Sequence, residues 1–181
     1  MKTLSRRFLI LSSIAVLLYV GAMYAWIKHG YSGGTNSSIQ YESTLQEGIA
    51  FPRLGYPSFI EAYSGISRQE PWGRWTNANT GQTKLVFKGN LPKDFVLELT
   101  AFSYGPNADA PTQIWVGNQM RELVIARDKA SLYRVEFTGV GDVKAIEIRP
   151  PHPIAPNQIN PQSTDGRKLG LGLVDLKIIS Q

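Results

Sequence analysis

From about residue 63 to the end of the chain, apolar and polar side chains alternate with a period of two. In Phe95–Tyr104 this puts Phe95, Leu97, Leu99 and Ala101 on one side, and Leu132–Phe137 sets Tyr133, Val135 and Phe137 against Leu132, Arg134 and Glu136. Further runs are Lys84–Phe87, Thr112–Val116, Arg121–Ile125, Val143–Ile148 and Leu169–Ile179, and Gly117-Asn118 between two of them is a hairpin signal. A strand turns successive side chains to opposite faces, so this pattern describes strands with one buried face. Turn signals recur about every 8–12 residues with almost no helical periodicity between them, the pattern of an antiparallel sandwich or barrel. The reading is an all-β, jelly-roll-like antiparallel β-sandwich. Residues 150–168 break the rhythm with five prolines, which cannot lie in a central strand. A loop of that length is either functional or a packed cover.

Ahead of the β pattern stands Phe8–Ile27, twenty residues without a charge. A helix of that length spans roughly 30 Å, the thickness of a bilayer's hydrocarbon core. Tyr19, Tyr24 and Trp26 gather in its last third, and Lys2, Arg6 and Arg7 precede it. By the positive-inside rule the N-terminus is expected in the cytoplasm and the β domain outside, which for a bacterium means a periplasmic domain anchored in the inner membrane. Val20-Gly21-Ala22 also fits a signal-peptide cleavage site, which would leave the same domain outside the cytoplasm. The expected division is residues 1–7 in the cytoplasm, a transmembrane helix over 8–27, a linker over 28–54 and the sandwich over 55–181.

The net charge of +5 is a property of the anchor. Lys2, Arg6, Arg7 and Lys28 flank the apolar segment, and without these four the chain's 19 Lys and Arg become 15 against 14 Asp and Glu. A nearly neutral domain does not track phosphates, so no nucleic-acid partner is expected. Cysteine is absent, which excludes disulfides, thiolate nucleophiles and sulfur-based zinc sites. His29 and His152 are the only histidines, and no nucleophile-elbow pattern accompanies His152. No spacing nominates a carboxylate pair or a calcium loop. The expectation is no catalytic residue, no metal and no cofactor.

The densest chemistry lies in Glu70-Pro71-Trp72-Gly73-Arg74-Trp75-Thr76. Aromatic faces stack on the C–H faces of pyranose rings while Arg and Glu bond hydroxyls, so Trp72, Arg74 and Trp75 are candidate carbohydrate ligands. The structural alternative is that Trp75 is core and Arg74 pairs with Glu70 to close a corner. Trp72, ahead of Gly73, is the better candidate for exposure. Tyr104 and Asn107, where a strand ends in Gly105-Pro106-Asn107, are also candidates, although Asn107 fits a turn residue satisfying its own backbone. In Asp165-Gly166-Arg167-Lys168-Leu169-Gly170-Leu171-Gly172 the glycines fall inside a β pattern, which suits close backbone packing and not a phosphate loop. Asp165 and Arg167 are placed to hold the long loop against the sandwich.

Together EPWGRWT, LPKDFVLELTAFSYGPN, IEIRPPHP and DGRKLGLGLVDLKI resemble the extracytoplasmic C-terminal domain of bacterial phosphoglycerol transferase I-type membrane proteins, over roughly residues 55–180. In that family the chemistry belongs to a separate, metal-dependent, sulfatase-like domain, and nothing here is long enough or His-rich enough to be it. The resemblance therefore implies an accessory module with its own anchor and carries no transferase activity across. The implied role is to bind an envelope glycan or oligosaccharide, or to assist phosphoglycerol or glucan modification. The alternative is a protein-interaction subunit docking onto a separately encoded membrane glycosyl- or phosphoglycerol transferase.

Overall fold

The computed structural model describes residues 39–181. The expected transmembrane segment lies outside the described residues; among those described, no helix is long and apolar enough to cross a membrane.

Two five-stranded sheets form a sandwich. One has the order β4 (Ile60–Ser64), β6 (Thr83–Phe87), β11 (Ala145–Arg149), β8 (Pro111–Val116), β9 (Gln119–Val124). In the other, β10 (Ser131–Phe137) pairs with β7 (Phe95–Ser103), and β7 with the long β12 (Leu169–Ser180). The far side of β12 is shared: its first half pairs with β5 (Arg74–Asn77) and its second half with β2 (Ile49–Ala50). Every pairing in the two sheets is antiparallel, and the short β1 (Gln40–Tyr41) and β3 (Tyr56–Pro57) make a separate parallel pair.

The alternation in the sequence is what builds the core. Phe95, Leu97, Leu99 and Ala101 of β7 are fully buried, as are Leu171 and Leu173 of β12 and Phe137 of β10. They meet Leu85, Phe87, Ile114, Val116, Ile146 and Ile148 from the opposite sheet in one cluster. Each such side chain contributes about 1.5–3 kcal/mol by leaving water, which holds the sheets face to face.

The segment expected to be a linker is part of the fold from residue 40 onward. Ile49 and Phe51 are buried at 1% and 0% exposure, and the Phe51 N–H donates to the Val174 carbonyl at 3.0 Å. Strands of two residues are too short to display an alternation, so the sequence pattern did not reveal them.

The proline-rich segment is a packed cover. Ile154 and Leu169 exchange backbone hydrogen bonds of 3.0 and 2.9 Å, Ala155 is buried, and a single helical turn, α1 (Pro156–Ile159), follows.

Candidate functional site

Glu70 and Gly73 exchange backbone hydrogen bonds of 2.8 and 3.1 Å, which leaves Pro71 and Trp72 at the tip of a tight turn. The chain then enters β5, where alternation sends Arg74 inward and Trp75 outward. Trp75 is level with Gly172 of β12, and Gly172 with Phe102 of β7, so one row crosses three strands on the outer face. Gly172 is the reason the row can close up. A Cβ there would stand 2.4 Å from the Phe102 ring, so only glycine lets the phenyl lie across the middle strand.

Four half-buried rings result. Trp72 and Trp75 meet edge to face with centroids 4.9 Å apart, Trp72 and Phe102 at 5.0 Å, Trp75 and Phe102 at 5.2 Å, and Trp75 and Tyr104 at 5.4 Å. Edge-to-face contacts at these distances fix the rings against one another, making a rigid apolar platform. Neither the Trp75 indole N–H nor the Tyr104 hydroxyl has a protein partner among the described residues.

A polar rim borders the platform. The Trp72 Nε1–H donates to Glu70 Oε2 at 3.1 Å, and Arg167 Nη1 donates to Glu70 Oε1 at 3.1 Å. Arg167 also grips Asp165 through Nε at 3.0 Å and Nη2 at 2.7 Å. That fork holds the Asp165 carboxyl below its ordinary range, and the carboxylates of Asp165 and then Glu70 hold the Arg167 guanidinium above its own. Two carboxylates and one guanidinium leave the rim with a net negative charge.

Of the five residues singled out from the sequence, the fold brings together Trp72, Trp75 and Tyr104. Arg74 is 6% exposed and does not pair with Glu70. Its Nε donates to the Phe51 carbonyl at 3.2 Å and its Nη2 to those of Arg53 and Gly55, both at 3.1 Å, with the guanidinium over the Tyr56 ring. Asn107 is fully buried: its Nδ2 donates to the carbonyls of Tyr104 at 2.8 Å and His152 at 3.0 Å, and its Oδ1 accepts the His152 N–H at 2.9 Å. Backbone carbonyls take up Nε and Nη2 of Arg74, and backbone groups take up the whole side-chain amide of Asn107, so both side chains brace the scaffold.

Phe102 is the member that the sequence reading did not select; Glu70 was read there as a hydroxyl-bonding group of the motif, and Arg167 only as a brace for the long loop. Phe102 carried a usable signal: it is a large aromatic on the outward side of β7, where Glu98 and Thr100 also lie. Among the described residues no group of three or more His, Asp or Glu side chains is placed to hold a metal. What the arrangement offers chemically is an aromatic stacking surface with hydrogen-bond donors and acceptors at its edge.

Phosphoglycerol transferase I from Salmonella choleraesuis (strain SC-B67) is 36% identical over 146 residues, which is 80% of this chain and 19% of that protein. The proteins of the same name from Salmonella newport (strain SL254) and Salmonella typhi match to the same extent. The chain thus spans about a fifth of the length of the curated relatives it matches. The solved structure "BiXyn10A CBM1 APO" superposes with a TM-score of 0.46 at 12% identity, covering 77% of this chain and all of that one, too loose a fit to carry an argument. Residues 35–180 match the family described as "Domain of unknown function (DUF7024)", and the chain belongs to that family.

Proposed function

We propose that this protein is a non-catalytic, membrane-anchored periplasmic module that binds carbohydrate and assists envelope glycan modification of the phosphoglycerol or glucan kind. The observation that carries the reading is the outward row Trp75–Gly172–Phe102, extended by Trp72 and Tyr104 and edged by Glu70 and Arg167. Burial alone does not call for four aromatic rings on the solvent side of a sheet. Stacking under a pyranose does, with the rim bonding its hydroxyls. Relationship to one part of phosphoglycerol transferase I supplies the context, a domain that in those proteins accompanies a much larger remainder. The apolar segment of residues 8–27 would hold it at the inner membrane.

That same partial relationship supports a second reading, in which the module docks onto a separately encoded membrane transferase. One experiment separates the two. The full chain, in a detergent without sugar, is titrated with glucan oligosaccharides while tryptophan fluorescence is followed. The carbohydrate reading expects a saturable change that weakens at least about tenfold in Trp72→Ala, the loss of one stacking ring. A flat titration to millimolar glucan, with a transferase retained on the detergent-solubilised protein, favours docking instead.

A further inference from the structure

The opposite sheet carries a second feature, independent of the platform because it lies on the outer face of β4-β6-β11-β8-β9. Register places Lys84, Glu147, Trp115 and Met120 in one row across β6, β11, β8 and β9. The neighbouring row has Val86 beside Ala145, and next to these the chain leaves β8 at Gly117, whose φ of +59° belongs to the hairpin turn. A row of large side chains thus stands beside a row of small ones. The step between them is a cleft of about 340 Å³, lined also by Val143 and Lys144.

Charge and donors decide what the cleft can take. Glu147 is already engaged by two cations, Oε1 with Lys84 at 3.1 Å and Oε2 with Arg149 at 2.6 Å. Asp142 accepts a hydrogen bond from Asn90 at 3.1 Å. Lys144 is exposed and has no ionic partner among the described residues, whereas Arg149 keeps its Nε buried and turns only its guanidinium end toward Glu147. Three cations against two carboxylates leave the lining with a net positive charge, with the Lys144 ammonium as its unpaired donor. Trp115 adds an aromatic wall, its Nε1–H fixed on Gln113 at 3.1 Å and Arg149 stacked on the ring at 4.7 Å from its centroid.

We infer that this cleft is a binding site for a sugar ring carrying one anionic group. The ring lies against Trp115 and Ala145, its hydroxyls meet Lys84 and Glu147, and its phosphate or carboxylate meets Lys144 and Arg149. An uncharged sugar leaves the cations unanswered, and a bare anion leaves the aromatic wall uncovered.

The chain's four tryptophans give the readout. The full protein is labelled with ¹⁵N at its indoles, held in a detergent free of sugar and phosphate, and assigned with Trp→Phe variants. It is titrated separately with glucose 6-phosphate, glucuronate, glucose and inorganic phosphate, each to about 50 mM, where ligands making few contacts still register. A saturable shift of the Trp115 indole with either anionic sugar, at least about tenfold weaker with glucose and with phosphate, is the expected result, and which anionic sugar binds identifies the group. Ala145→Leu, which fills the cleft, abolishes the shift, and Lys144→Glu, on an exposed side chain, weakens it at least about fivefold. The inference is overturned by a Trp115 signal that does not saturate, by phosphate alone matching the sugars, or by Lys144→Glu binding as the parent does. Shifts confined to Trp72 and Trp75 would also overturn it, while leaving the platform reading intact.

Discussion

Arg74 and Trp72 are two residues apart and have opposite jobs. Removing the Arg74 side chain leaves the carbonyls of Phe51, Arg53 and Gly55 without their donor in a buried corner. Arg74→Ala is expected to cost about 3 kcal/mol, read as a shift in the urea midpoint. Trp72→Ala loses ring contacts on a half-exposed surface and is expected to cost only about 1 kcal/mol. Ligand binding should rank the other way, with Trp72→Ala losing affinity and folded Arg74→Ala retaining it. Equal effects on both properties would mean that Arg74 is part of the contact surface after all. Only part of the division was legible: Gly73 after Trp72 favours exposure of that ring, whereas the pairing of Arg74 with Glu70 that the motif suggests does not form. What the sequence did not disclose was which face is inside. That depends on the carbonyls of residues 51–55, which receive the guanidinium and come from a segment with no strand signal of its own.

At the scale of elements, the platform is held from behind by the cover. Tyr104 follows β7 directly, and the Asn107 amide, which donates to the Tyr104 carbonyl, also reaches the backbone of His152 in the proline-rich segment. Asp165 and Arg167, from the far end of that segment, come back to Glu70 at the rim. One loop thereby braces both ends of the site, which its proline content alone could not have shown. Asn107→Ala removes three hydrogen bonds, two of them to a chain segment 45 residues away. The expected outcome is local: amide exchange at Ile154 and Leu169 accelerates by about a hundredfold, corresponding to about 2–3 kcal/mol of local opening, while the β7–β10 amides keep their protection. Uniform acceleration in both places would show instead that the cover and the sheets open as one unit. The long strands were readable because their alternation continues for up to nine residues, as in Phe95–Ser103, and a register slip would bury every polar neighbour.

Across the whole molecule, three carboxylates make stability depend on pH, and they do not pull the same way. Arg149 and Lys84 hold Glu147 below its ordinary pKa, and Arg167 does the same to Asp165. Each contributes stability that is fully present above the unfolded-state pKa of about 4 and is lost as pH falls through the lower, folded value. Asp175 is the opposite case. Burial raises its pKa and Glu98 adds to the rise, with Lys177, 3.9 Å away, compensating only in part. The folded state therefore holds the Asp175 proton more tightly than the unfolded state does, and stability declines as pH rises from about 4 through the raised value. Above that window the full cost of the charge remains. Asp175→Asn keeps the shape and removes the charge, so it should raise Tm by about 2–5 °C at pH 7.5. The gain should shrink toward zero near pH 2.5, more than a unit below the unfolded-state pKa, where the carboxyl is protonated in both states. Melting curves of parent and variant at both pH values test this directly, because an advantage of the same size at acid pH would trace to packing around Asp175 and not to its charge.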